Sequence, residues 1–259
     1  MSIAAVRPGL PLASVNPVAK VAATIPLSIV LVLTLDPVSA TVAIICELLL
    51  FTVVGLGPLL WSPRTLPVWI AAPLTGLSMV LYGAPSGETY WEFGLIHVTE
   101  GSLLIGLATT TRVIAIALPA VVLFLTIDPT DLADGLAQTL RLPARFVLGA
   151  LAALRLVGSS IDDWRTLSLA RRARGVADRG VVRRGLGQAF ALLVLAIRRG
   201  STLATAMEAR GFGAPVRRTW ARTARFGGTE WLVIAVGCLV AATAATAAIL
   251  AGTWNVVWS

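Results

Sequence analysis

The chain of 259 residues contains one lysine, one histidine and two cysteines, and only 13% of its residues are charged. Each shortage excludes something. A phosphate-binding loop of the Walker type requires Gly-x-x-x-x-Gly-Lys-[Ser/Thr], and Lys20 lies in Asn-Pro-Val-Ala-Lys with no glycine at that spacing. The chain is therefore not an ATP-hydrolysing motor of that kind. His97 has no second histidine to join it, and Cys46 and Cys238 each lie inside an apolar stretch, so neither a metal-ligand pattern nor a disulfide framework is present. The two cysteines read as small buried apolar residues. A soluble domain is about one quarter charged. Charge depletion on this scale points to lipid as the solvent.

What the chain does have is hydrophobic residues, 57% of the total, gathered in long blocks. A membrane-crossing helix needs about 20 apolar residues, with a range of roughly 17–25. Five such runs are predicted: Pro17–Leu35, Val38–Leu60, Leu66–Tyr82, a span within Leu95–Ile127 starting near Ser102, and Glu230–Gly252. Arg7, Lys20 and Arg64 flank the loops on one side, whereas Asp36-Pro37 and the Gly83–Gly101 loop on the other side contain no Lys or Arg. By the positive-inside rule the N-terminus is predicted in the cytoplasm and the C-terminus outside. Val38-Ser39-Ala40 resembles a signal-peptide cleavage site, but the Pro-containing lead-in is long for one, and the first helix is expected to be retained.

The formal net charge of +8 would permit nucleic-acid binding, but its distribution does not support it. Seventeen of the 21 basic residues lie between Arg141 and Arg225, flanked by spans a nucleic-acid binder has no use for. Three segments are predicted: a membrane bundle over 1–127, a cytoplasmic or interfacial region over 128–228, and a last span in 229–259. Within the middle segment, Asp128-Pro129 reads as an N-cap with proline at the first helical position. Leu132, Leu136 and Leu140 mark one face of the helix that follows. Arg141-Leu142-Pro143 breaks it and starts a long helix, Pro143 to Arg174. Polar, glycine-containing sequence from Gly175 to Gly187 reads as a turn before another helix, Gln188 to Arg210. These helices are too charged to span and too apolar to be solvated all round, so they are expected at or under the membrane surface.

An internal repeat is the most informative feature. Thr166-Leu167, Ala170 and Ala173-Arg174-Gly175 recur 36 residues later as Thr202-Leu203, Ala206 and Ala209-Arg210-Gly211, with six of ten positions matching and no gap. Each copy sits where a long helix should stop. Glycine supplies the left-handed residue just past a helix C-terminus, and arginine before it complements the negative end of the helix dipole. A helix stop needs no matching Thr-Leu two turns upstream, so two equivalent acceptor sites are expected. A guanidinium suits a bidentate carboxylate on such an acceptor.

These residues resemble the transmembrane T component of energy-coupling factor (ECF) transporters, the EcfT type, whose cytoplasmic helices end in paired Ala-Arg-Gly motifs. Asn16-Pro17-Val18-Ala19-Lys20 is similar to the start of that family's first span, and Thr126-Ile127-Asp128-Pro129-Thr130-Asp131-Leu132 to the exit of its fourth. Leu142-Pro143, Arg155 and Ala206-Met207-Glu208-Ala209-Arg210-Gly211-Phe212 follow in the family's order. Leu154-Arg155-Leu156-Val157-Gly158 departs from the pattern, which carries an aromatic residue and a proline after the arginine. The resemblance implies an all-α membrane protein of about five transmembrane helices with a coupling region of long crossed helices. It further implies a non-catalytic scaffold in lipid, binding two ABC-type ATPases and a substrate-binding membrane subunit (the S component) for uptake of a vitamin or metal ion. Ala173, Arg174, Gly175, Ala209, Arg210 and Gly211 would dock the ATPases, with Arg155 and Glu208 as further coupling candidates. The chain would hold no cofactor; ATP and Mg²⁺ would belong to the partner ATPases.

Intramembrane charges are functional candidates by default. Arg112 in the fourth span and Glu47 in the second are expected either to pair or to hold the bundle locally. Two rival classes stay open: a conventional ABC permease half, which presents one coupling helix rather than two, and an intramembrane enzyme using Glu47, Glu100 or Asp128 with Arg112. The long helices are expected to cross in an X near Leu154–Gly158 and Leu193–Ile197, with separated tips and an apolar face including Val147, Leu151, Phe190 and Val194 for a membrane partner. Orientation is directly testable. A cysteine placed near Glu88 should react with an impermeant thiol reagent applied to intact cells, and one near Val181 should not; the reverse pattern would overturn the topology.

Overall fold

The computed structural model describes residues 12, 14–34, 36–83, 86–93, 96–175, 180–214 and 219–254. The chain divides into two compact units, one formed by 4–132 with 225–259 and the other centred on 133–224.

The first unit is a helical bundle. Its helices are α1 (Pro17–Leu33), α2 (Pro37–Val53), the single turn α3 (Gly57–Leu60), α4 (Leu66–Tyr82) and α5 (Glu100–Phe124); the last helix of the chain, Gly228–Leu250, completes it. That last helix packs on α1 and α2, α5 packs on α1, α2 and α4, and α4 lies on the outer side of α5. The bundle is built for lipid. Its core is made largely of small residues, with Ala40, Ala43, Ala115, Ala241 and Ala244 meeting Leu27, Leu31 and Val240. Large aliphatic residues such as Ile29, Leu49, Ile70, Leu74, Leu104 and Leu239 point outward. In a bilayer, burying a large apolar side chain gains little, because lipid is as apolar as the interior; close backbone approach through small residues holds the helices instead. Cys238 belongs to this outward face and is exposed, contrary to the buried expectation, whereas Cys46 is half-buried.

Helix ends follow local chemistry. Asn16 caps α1 by accepting from the Val18 N–H at 3.0 Å. Asp36 caps α2, accepting from the Ser39 N–H and from its hydroxyl, both at 2.7 Å. The second span is shorter than predicted. Gly55 at φ +79° and Pro58 stop α2 at Val53, because a left-handed residue and a missing N–H cannot continue a helix. Between α4 and α5 the predicted loop contains a small antiparallel hairpin, β1 (Thr89–Phe93) with β2 (Ile96–Thr99), pairing Phe93 with Ile96. The Glu92 and His97 backbones pair there, but their side chains lie outside what is described. Thr99 and Ser102 then form a reciprocal capping box at the start of α5.

In the second unit α6 (Pro129–Gln138) is followed by two long helices, α7 (Ala144–Ala173) and α8 (Val181–Ala209); the Gly228–Leu250 helix is α9. Asp128 Oδ1 accepts from the Thr130 N–H at 2.7 Å, the N-cap expected there. Leu132 and Leu136 are only half-buried and Leu140 lies beyond the helix, so small Ala133 and Ala137 form its buried face. The turn before α8 is shorter than predicted, since 181–187 is already helical. Arg171 compensates for the two glycines there: its guanidinium donates to the carbonyls of Gly187 at 3.1 Å and Arg184 at 3.5 Å. By length and composition alone α5, α7, α8 and α9 could each cross a membrane, and α1, α2 and α4 are shorter apolar helices. Composition alone would therefore allow α7 and α8 to span, contrary to the expectation that they are too charged to do so.

The close helix contacts make a sharp test. A methyl group added at Gly106 would come within 2.8 Å of the Gly76 carbonyl, and one at Gly237 within 2.2 Å of the Ala23 carbonyl. Both neighbours are backbone and cannot yield. Gly106→Ala and Gly237→Ala should each cost about 1–3 kcal/mol of stability in detergent unfolding. Gly149→Ala, with open space around it, should be neutral or stabilising by up to about 1 kcal/mol. Equal behaviour of all three would sink the close-packing account.

Candidate functional site

Both repeated segments end their helices in the same way. Gly175 has φ +67° and Gly211 has φ +78°, a left-handed conformation that favours glycine. At the second end the Phe212 N–H reaches the Met207 carbonyl and the Gly211 N–H the Glu208 carbonyl, both at 2.9 Å. This is a complete Schellman stop. At the first end the Gly175 N–H bonds the Arg172 carbonyl at 3.0 Å. Ala173, Arg174, Gly175, Glu208, Ala209, Arg210 and Gly211 are all exposed. Among the described residues neither the Arg174 nor the Arg210 guanidinium has a hydrogen-bond or ion-pair partner, although both backbone N–H groups are bonded within their helix ends. A permanent, undirected guanidinium therefore sits at each tip, one residue before a fixed helix stop.

The seam between α7 and α8 is thin and partly polar. Asp163 and Arg199 form a two-pronged ion pair, one arm of which is Arg199 Nη2 to Asp163 Oδ1 at 3.1 Å. Gln188 donates to the Trp164 carbonyl at 3.5 Å. Asp163 and Arg199 are 36 residues apart, the offset of the sequence repeat. Equivalent positions of the two copies are thus in contact, as an approximate local twofold between α7 and α8 would require. A second contact obeys the same operation. Arg171 meets Arg184 and Gly187; the positions exchanged with these are Met207, Leu148 and Leu151, and all three line one pocket with Leu203 and Phe212. The two helices run antiparallel along the seam, clamped by arginine at one end and by apolar packing at the other. Arg155 is exposed at the edge of that apolar pocket.

The expected crossing requires correction. Leu154, Val157, Leu193 and Ile197 are exposed rather than packed together, and the cross-helix bonds run through Asp163, Trp164 and Arg171 instead. Phe190 and Val194 lie on an exposed apolar face as expected. Val147 and Leu151 are half-buried, and Leu151 is used in the pocket beneath Met207. The Asp163–Arg199 pair escaped sequence reading, although the repeat offset was a usable signal.

In the bundle the expected pairing of Arg112 with Glu47 does not form. Arg112 donates to the Thr34 carbonyl at the end of α1, while both Glu47 carboxyl oxygens are buried without a hydrogen-bond partner. A buried polar knot lies elsewhere. Lys20 is fully buried, and its ammonium donates to both the carbonyl and the hydroxyl of Thr126 at 3.1 Å. Asn16 Nδ2 donates to the Arg225 carbonyl at 3.1 Å, and its N–H to Glu230 at 3.3 Å. Two motifs 106 residues apart in the sequence thus meet in space. Sequence reading took Lys20 as a charge on the cytoplasmic side and as part of the segment that enters the first span, and missed this contact. Among the described residues no cluster of His, Cys, Asp and Glu could hold a metal ion.

A family model described as CbiQ, cobalt transport protein, matches residues 10–221. The energy-coupling factor transporter transmembrane protein EcfT of Limosilactobacillus fermentum is 31% identical over 198 residues, covering 72% of this chain and 70% of the relative. That of Bacillus selenitireducens is 30% identical over 241 residues, covering 88% and 89%. The chain belongs to the CbiQ/EcfT family. The region matched by the family model runs from the approach to α1 through α8, so it takes in the Asn16–Lys20 segment and both Arg-Gly helix ends, and it stops short of α9. The relatives are transporter membrane components, which agrees with the transmembrane reading of the sequence.

The seam yields a prediction. Asp163→Arg and Arg199→Asp should each destabilise the α7–α8 pair in detergent unfolding, and the two together should restore stability, with a coupling energy of about 0.2–1 kcal/mol. Cysteines at 174 and 210 should not cross-link, because the antiparallel helices carry their tips to opposite ends. Additive single effects and efficient tip-to-tip cross-linking would refute the arrangement.

Proposed function

We propose that this chain couples two ABC-type ATPase subunits to a substrate-binding membrane subunit, transmitting ATP-driven motion for import of a vitamin or a metal ion. The observation that carries this reading is the pair of exposed, unpaired arginines on equivalent helix ends, related by a local twofold. Two ATPases that close on ATP as a pair offer two equivalent grooves, and a twofold-related pair of tips is matched to them. A glycine in the left-handed region fixes each helix stop and holds each guanidinium at the tip, where a bidentate carboxylate contact is available. Motion of one ATPase relative to the other would then be felt along rigid helices about 45 Å long. The exposed apolar faces of α7 and α8, including Phe190 and Val194, supply the surface on which a membrane partner would rest. Apolar faces of this size without a cover are a solubility hazard. The positive-inside pattern supports an N-terminus in the cytoplasm and puts the arginine-rich helices on the ATPase side. Cargo identity would belong to the substrate-binding partner, since this chain does not hold the cargo.

Arg174→Ala and Arg210→Ala should each weaken ATPase co-purification, and the double variant should abolish uptake while the protein remains inserted. A hydrogen bond to a charged group is worth about 1.5–3 kcal/mol, so one loss should weaken association by about tenfold or more, and two should be severe. Arg→Lys at either site should rescue poorly, because lysine lacks the two-pronged donor geometry. Full uptake by the inserted double variant would eliminate the docking role.

A further inference from the structure

The chain passes out of the bundle unit within α6, after Leu132, and comes back to it after Ala224. Long-range side-chain hydrogen bonds gather on these two passages. In the bundle, Lys20 donates to the carbonyl and the hydroxyl of Thr126, just before α6, both at 3.1 Å. One turn earlier, Asn16 donates through Nδ2 to the Arg225 carbonyl at 3.1 Å. In the second unit, Gln138 is the last residue of α6 and spends both ends of its amide on the returning chain. Its Nε2 donates to the Arg222 carbonyl at 2.9 Å, and its Oε1 accepts from the Ala224 N–H at 2.8 Å.

These bonds close a circuit. From Lys20 it runs through Thr126 and along α6 to Gln138, crosses to Ala224, and returns through Arg225 and Asn16 to the start of α1. The returning segment around 222–226 belongs to no helix or strand, so its backbone groups need partners from outside, and Gln138 supplies one donor and one acceptor as a neighbouring strand would. The buried residues of α6 are Ala133, Gly135 and Ala137. Little side-chain bulk therefore anchors the helix, and the fastenings at its two ends fix it. A loose connection absorbs a displacement, whereas one fastened at both ends passes it on. We propose that Gln138 is a positioning residue for coupling: with Lys20 and Asn16 it makes α6 and the returning segment one tie on the start of α1, so that displacement of α7 and α8 is not taken up in slack chain. This role rests on the coupling reading above.

The test has two arms. In the full chain in detergent, without partners, hydrogen exchange of the 222–226 backbone reports the tie alone. Gln138→Met keeps the length of the side chain and removes both bonds, so the Ala224 amide should exchange about tenfold faster or more, with α7 and α8 unchanged. Gln138→Glu keeps the acceptor and loses the donor, and should fall between. In the second arm the complex with ATPases and substrate-binding subunit is reconstituted in vesicles. Gln138→Met should lower uptake per ATP hydrolysed while ATPase co-purification and the hydrolysis rate hold. A role in stability alone would lower assembly and hydrolysis together and leave that ratio unmoved. Joining Gln138→Cys to Ala224→Cys with a short reducible bis-thiosulfonate should restore the ratio, and reduction should remove it again; this pair decides the matter if Gln138→Met assembles poorly. Unchanged exchange in Gln138→Met would overturn the tie, and a full ratio in the loosened chain would overturn its coupling role. An unaltered complex that hydrolyses ATP without import would overturn the coupling reading and this role with it, and the exchange arm separates that case from a missing tie.

Discussion

The bundle depends on a constraint lipid imposes: backbone polar groups brought inside must find their partners within the protein. The knot at Asn16, Lys20, Thr126 and Glu230 meets that constraint at the ends of three helices. Lys20 satisfies the carbonyl of Thr126 just past α5, Asn16 caps α1 and also holds the chain entering α9, and Glu230 closes the first turn of α9 by accepting from the Gly227 N–H at 2.8 Å. Remove Lys20, and a buried carbonyl and hydroxyl lose their donor together. The same group that looks like a topogenic charge in the sequence is therefore a tether in the fold.

Above that knot the packing is by backbone proximity rather than by side-chain bulk. Gly76 against Gly106 and Gly237 against Ala23 bring helix axes close, and the alanine-rich core leaves large aliphatic residues facing outward. Such an inside-out distribution is stable only in an apolar solvent. It also explains why a half-open apolar pocket can persist between α1, α2, α5 and α9. Small residues that let helices approach at some levels leave space at others, and in lipid little is gained by filling it with a bulky side chain.

The second unit obeys a different rule. Its two long helices bury almost nothing between them, Gln188 being the one buried side chain of α8 among the described residues. They are held by discrete polar contacts at Asp163–Arg199 and Arg171 and by one apolar pocket at Met207. A seam of this kind leaves most of both apolar faces available and keeps two helix tips apart. Rigidity along each helix with few contacts across the pair is what a lever requires.

The sequence by itself determined the membrane class, the positions of four of the five predicted apolar helices to within a few residues, and the two helix stops. These are local or compositional properties: hydrophobic length, the left-handed preference of glycine, and the capping chemistry of Asp128-Pro129. The Ala-Arg-Gly repeat was legible because both copies need the same termination. The tertiary structure alone decided which residues meet. No periodicity places Lys20 on Thr126 or denies Glu47 the partner expected in Arg112, because those outcomes depend on helix rotation and depth. The crossing was misplaced for the same reason. Hydrophobic residues such as Leu154 and Leu193 read as contact residues in a chain assumed to bury its apolar surface, whereas in this unit charge pairing sets the seam and the apolar faces stay exposed.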